Sequence, residues 1–336
     1  MKTKILSPDK DGIAEAAALL TAGEVVAIPT ETVYGLAANA LDPAAVEKIF
    51  AAKGRPSDNP LIVHISDISH IYKYARAVPE AAVKMAEAFM PGPVTMVLPK
   101  ADIIPLVTSG GLDTVGIRFP VHKAARAIID ACGFPLAAPS ANLSGSPSPT
   151  RFSHVMSDMN GRISGAVDGG DCAVGVESTV VSFDDDGSIR ILRPGFISPE
   201  DITEAGFKVI CDRGVTEKIV DGERVMSPGM KYKHYSPKAN VTLVEGSLPE
   251  FIRFMEDKTG DGVFAVVFDG DVFPGKNYIT YGRTPEEQAR QLFDVLRRLD
   301  GIGCRQAYIR TPEKQGVGLA VYNRLLRAAG FEVIRL

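Results

Sequence analysis

An apolar run, Val25, Val26, Ala27 and Ile28, ends at Pro29, which marks a buried strand that stops sharply. Asp42-Pro43 then opens a helix, Asp42 as N-cap and Pro43 at the first helical position. Val46, Ile49 and Phe50 form its buried stripe, Lys53 lies one repeat further on the same face, and Gly54 stops it. Lys53 and Arg55 therefore sit at a helix end where a second strand begins. Two cations there suit an anion. Taken alone, such a pair more often has a plain role, Lys53 complementing the helix C-terminus and Arg55 a surface loop residue.

Around this frame stand Pro29-Thr-Glu-Thr-Val-Tyr-Gly-Leu36, Lys53-Gly-Arg55-Pro56 and Asn59-Pro-Leu-Ile-Val-His64. Further on, Thr114-Val-Gly-Ile-Arg-Phe-Pro120 alternates: Val115, Ile117 and Phe119 face one side, Gly116 and Arg118 the other. An Arg on so apolar a strand needs a partner, either an internal carboxylate or a ligand's. His64 alternates in the same way with Val63 and Ile65, and by itself reads as a structural histidine. Leu136-Ala-Ala-Pro-Ser-Ala-Asn142 leaves a strand and enters a Ser/Gly/Pro loop reaching Ser148. Such a loop is either a connector or a nest of amides and hydroxyls for phosphates.

This ordered set of motifs resembles the threonylcarbamoyl-AMP synthase family, built on the YrdC-like domain. The resemblance implies an enzyme, a nucleotidyltransferase, that uses ATP, L-threonine and bicarbonate in the first step of N6-threonylcarbamoyladenosine formation in tRNA. It maps Thr32, His64, Arg118 and Ser178 to the L-threonine site. It maps Arg55, Asn59, Thr114, Ser140, Ser148, Arg193 and Tyr235 to ATP; Asn142 completes the Ser-x-Asn signature, and Lys53 is placed with Arg55 toward the triphosphate. Mg²⁺ is expected to arrive with ATP and not in a protein metal site. The tRNA is expected to be reached only through a downstream transferase complex. Two other readings stay open: a double-stranded-RNA-binding module, or a carbamoyl-transfer domain of the same fold.

The chain has 336 residues, more than one core usually holds. Its 37 Lys+Arg against 41 Asp+Glu argue against broad nucleic-acid affinity. Four scattered cysteines signal neither zinc nor a redox pair. Ile13–Leu20 is short and interrupted by Glu15, so it reads as a helix and not a signal peptide; no stretch spans a bilayer, and the cytoplasm is the default. There is no Gly-x-x-x-x-Gly-Lys-[Ser/Thr] loop, and Gly260-x-Gly262 precedes a strand, so neither a P-loop nor a dinucleotide fingerprint is present. No Ser-His-Asp or Cys-His set suggests a covalent intermediate.

The irregular order of strands and helices before residue 211 predicts an α/β, mixed-sheet, YrdC-like catalytic domain over 1–211. Residues 212–240 read as a linker. Residues 241–336 alternate cleanly into a small Rossmann-like α/β domain, with Thr284 and Glu287 as a capping box and Ala289, Leu292, Phe293 and Leu296 as an apolar stripe. Within the linker, Lys231, Lys233, His234 and Tyr235 suggest a lid over the nucleotide.

Overall fold

The computed structural model describes residues 2–217, 235–258 and 260–336. The lid expectation at Lys231, Lys233 and His234 lies outside them. The first sheet is built from β1 (Lys4–Leu6), β2 (Val26–Ile28), β3 (Gly35–Asn39), β4 (Ile62–His64), β5 (Val94–Pro99), β6 (Thr114–Arg118), β7 (Leu136–Ala137), β8 (Gly165–Val167), β9 (Thr179–Phe183), β10 (Ile189–Arg193) and β11 (Val209–Cys211). Their spatial order is β1-β8-β2-β3-β7-β4-β6-β5-β9-β10-β11, a mixed sheet of parallel and antiparallel pairs. The second sheet, β12 (Asn240–Glu245), β13 (Val263–Phe268), β14 (Tyr278–Tyr281), β15 (Gln306–Arg310) and β16 (Val333–Arg335), is parallel throughout, ordered β14-β13-β15-β12-β16.

The local signals act as expected. Asp42 accepts from the Ala44 amide at 2.9 Å, and Gly54 adopts φ 61°, a left-handed C-cap that glycine takes without strain. Thr284 and Glu287 form their capping box, and the stripe beneath it is buried. β3 carries little strand signal, because Gly-Leu-Ala-Ala-Asn has no β-branched residue; pairing with β2 and β7 overrides that weak propensity.

One face of the first sheet carries a core shared with the helices Pro43–Lys53 and Glu80–Phe89, including Val63, Met96, Val115 and Ile117. The opposite face, at the β1–β7 side, is covered by the helices Lys10–Thr21 and Lys123–Cys132. The second domain meets the first at segments outside these strands: Arg297 bonds Asp158 and the Pro147 carbonyl, Arg290 the Ala173 carbonyl, and Arg324 bonds Glu177 and the Pro194 carbonyl. Val33, Val174, Val176 and Tyr235 enter a hydrophobic cluster with Phe293, Leu296 and Leu325 of that domain. Gly175 lies in this seam at φ 86°; a Cβ there would stand 2.3 Å from Arg290 Cα. Among the described residues, no helix is long and apolar enough to cross a membrane.

Candidate active site

Strand register places the polar residues together. His64 pairs with Arg118, and Arg118 with Thr95, so one row of the sheet aims all three away from the helix-packed core. Ser178 precedes β9 and shares a 2.7 Å hydrogen bond with the Thr95 hydroxyl. The loop after β10 presses onto it: a Cβ on Gly195 would lie 2.2 Å from the Thr179 amide nitrogen, so only glycine permits this approach. That brings Arg193 down to donate to the Ser178 carbonyl at 2.9 Å and its hydroxyl at 3.2 Å.

The resulting pocket is lined by Arg55, His64, Arg118, Ser140, Asn142, Ser178, Arg193 and Tyr235, with Glu177, Val33 and backbone of the 138–140 turn. Arg118, only 4% exposed, donates to Glu31 at 2.5 Å. Of the two partners left open by the sequence, the structure thus shows the internal carboxylate. Arg118 Nε and Glu31 Oε2 are both buried with no hydrogen-bond partner. His64 is fully enclosed; burial, reinforced by Arg118, pushes it down to about 3, so it is neutral at ordinary pH.

Five of the residues mapped to the two ligands sit outside the lining. Thr32 is buried, its hydroxyl sharing a 2.9 Å bond with Thr30. Lys53, expected to face the same anion as Arg55, is turned inward: its ammonium donates to the carbonyls of Ser140 and, at 2.7 Å, Asn142. Its position on the helix stripe explains this, since a side chain on the core face is led beneath the 140–142 loop. Burial, with Arg55 adding, lowers its pKa well below the usual lysine value. Arg55 instead reaches the carbonyls of Asn59 and Pro60 at 3.4 and 3.2 Å. The Asn59 side chain is enclosed and its Nδ2 has no partner. Thr114 lines a separate small recess with Thr95, Gly116 and Val180. Ser148 lies behind the pocket wall and donates to Glu177 at 2.6 Å.

Glu31, Glu177 and Arg324 were not singled out by sequence reasoning. Glu31 stands inside the quoted 29–36 motif, and Glu177 directly precedes Ser178. Arg324 carried a signal: it stands between Leu-Ala-Val-Tyr-Asn and Leu-Leu, in a largely apolar helix that is buried on all sides. It is fully buried and donates to Glu177 at 2.7 Å across the domain seam. Burial raises the Glu177 carboxyl, but Arg324 and Arg193 more than reverse this, holding it below the usual range. Among the described residues, no group of three or more His, Cys, Asp or Glu is placed to hold a metal.

A mixed-sheet domain with an enclosed, arginine-lined pocket, closed on one side by a small parallel α/β domain, defines a two-domain small-molecule enzyme. The family described as "Telomere recombination" (Sua5_yciO_yrdC) matches residues 18–195, and "Threonylcarbamoyl-AMP synthase, C-terminal domain" matches residues 197–330. The chain is 43% identical to the threonylcarbamoyl-AMP synthase of Pyrococcus abyssi over 96% of its length and 95% of that protein's. Against that of Bacillus subtilis it is 46% identical, covering 99% and 97%. A solved structure of P. abyssi Sua5 with L-threonine superposes with a TM-score of 0.92 at 40% identity, covering 99% of this chain and 100% of that one. The chain belongs to the threonylcarbamoyl-AMP synthase family, in its two-domain form.

Proposed function

We propose that the chain condenses L-threonine, bicarbonate and ATP into threonylcarbamoyl-AMP and pyrophosphate. L-threonine takes the end of the pocket at His64, Arg118 and Ser178; ATP takes the end at Arg55, Ser140, Asn142 and Arg193. The observation that carries this is the Arg118 guanidinium, buried in the wall and already holding a carboxylate at 2.5 Å. A bidentate Arg–carboxylate pair is the contact an amino acid would make there.

The threonine amine attacks the bicarbonate carbon and water leaves, giving the carbamate. A carbamate oxygen then attacks the α-phosphorus of ATP and pyrophosphate departs. No side chain needs to form a covalent bond. The chain's work is to hold the reactants in line, to neutralise phosphate charge with Arg55 and Arg193, and to present at His64 a neutral ring that adds no competing charge. Mg²⁺ enters as part of the MgATP substrate. We place the product upstream of tRNA position-37 threonylcarbamoylation, delivered by a separate transferase, and place the enzyme in the cytoplasm, where ATP and tRNA are. An enclosed pocket and an overall charge of −4 favour small ligands over an RNA duplex.

The test is pyrophosphate release with ATP, bicarbonate and each of threonine, serine and valine. A site built to bind a hydroxyl rejects the analogue lacking it, so threonine should exceed valine by roughly a hundredfold or more. Equal rates with threonine and valine would sink the assignment.

A further inference from the structure

The helix Gly316–Ala328 is buried from Val317 to Ala328, and Arg324 at its centre has no exposed surface. Removing a guanidinium from water is costly unless its donors are matched. Here they are matched, two of them across the seam. Nε donates to Glu177 Oε2 at 2.7 Å, Nη2 to the Pro194 carbonyl at 2.9 Å, and Nη1 to Asn323 Oδ1 at 2.7 Å. The same guanidinium carbon lies 5.5 Å from the centre of the Tyr235 ring.

Two of these contacts, to Glu177 and Tyr235, end on residues that line the pocket. Glu177 and Tyr235 are both part of its wall, and the other oxygen of Glu177 takes the Ser148 hydroxyl at 2.6 Å. Phe293, also from the second domain, packs on Tyr235 with ring centres 5.3 Å apart. Tyr235 holds φ 63°, a conformation a non-glycine residue keeps only where its surroundings impose it. Other bonds between the domains, such as Arg297 to Asp158 and His154 to Asp294, lie away from the pocket lining. The domains are thus also joined at places that do not touch the pocket, whereas Arg324 is joined to its wall.

A carboxylate in the wall of a site for a triphosphate is a liability. Left unneutralised, Glu177 would repel the ligand that Arg55 and Arg193 attract. We propose that Arg324 is a positioning residue of the synthase site. Through it the second domain neutralises Glu177 and fixes Glu177 and Tyr235 as one wall of the ATP end. This rests on the reading of the pocket given above, and it assigns the second domain a part in binding the nucleotide.

The experiment uses the full chain and reads ATP binding by calorimetry as well as the kinetic constants. Arg324→Met is expected to weaken ATP binding about tenfold or more, the scale of one charged hydrogen bond. The double variant Arg324→Met/Glu177→Gln, which removes the unpaired charge, is expected to bind ATP severalfold more tightly than the single variant, because residues in contact couple strongly. A purely structural role predicts the opposite, a double variant no better than the single one, and that result would overturn the proposal. So would wild-type ATP affinity in folded Arg324→Met. If Arg324→Met does not fold, Arg324→Gln, which removes the charge but keeps hydrogen-bonding capacity, takes its place in both variants; unchanged ATP affinity in folded Arg324→Gln would also overturn it. A wild-type chain that binds ATP yet releases no pyrophosphate with threonine would defeat the functional reading while leaving this binding test intact.

Discussion

Arg118 donates to Glu31 at 2.5 Å although 87 positions separate them in the chain. Each partner also keeps a buried polar atom unmatched, Nε on one and Oε2 on the other. The pair is therefore tightly placed and incompletely satisfied, the condition in which an incoming carboxylate can compete for the guanidinium.

Glu31→Gln keeps the shape and removes the charge. Breaking a buried pair from one side costs about 3 kcal/mol or more, since it strands the remaining ion. L-threonine then supplies the missing counter-charge, so it should raise the melting temperature of Glu31→Gln more than that of wild type. Equal shifts in the two proteins would show that Arg118 does not receive the amino acid's carboxylate.

His64 gives a pH signature. Its neutral form is favoured in the fold, where the pKa is pushed from 6.5 to about 3 by burial and then by Arg118. The unfolded chain gains a proton on this residue as pH drops below 6.5, and the folded chain does not. The contribution is fully present above that pH and is lost on the way down to about 3. His64→Gln should therefore lose about 2 kcal/mol less than wild type when denaturant unfolding is compared at pH 7.5 and pH 5. Parallel losses in the two proteins would refute a buried neutral His64.

Lys53 and Arg55, two residues apart, should separate in their effects. Lys53→Met leaves the carbonyls of Ser140 and Asn142 without their donor, at a cost of roughly 1–3 kcal/mol in stability. Arg55→Ala should leave the melting temperature nearly unchanged and raise the ATP KM by the equivalent of about 1.5–3 kcal/mol. Differential scanning fluorimetry alongside ATP kinetics reads both. A stable Lys53→Met, or an Arg55→Ala that melts early with normal ATP KM, would exchange the two roles.

Much of the frame was legible because the signals are local. The alternation in 114–119 placed Val115 and Ile117 in the core and Arg118 on the opposite face, where the structure has them. The Asp42, Pro43 and Gly54 boundary signals delimited a helix found at Pro43–Lys53. What stayed illegible depends on distant pairings. Nothing near Arg118 names Glu31 as its partner. Helical spacing put Lys53 on the core side, but which oxygens meet it there is decided by a loop almost ninety positions on, about the length of a small domain. Gly35–Asn39 forms a strand only because two others flank it. Tyr235 and Glu177 share a wall because a helix near the C-terminus reaches both.

The seam glycine has a mechanical meaning. With Arg290 Cα 2.3 Å and the Ala289 carbonyl oxygen 2.5 Å from where a methyl would project, Gly175 leaves no slack between the two bodies. A single added carbon at that point is a wedge: it must pry the halves apart, yet it touches no side chain of the pocket. Alanine at 175 would therefore act both as a spacer between the halves and as a strain on a backbone held at φ 86°, and either effect would reach the site without altering the chemistry of any group in it.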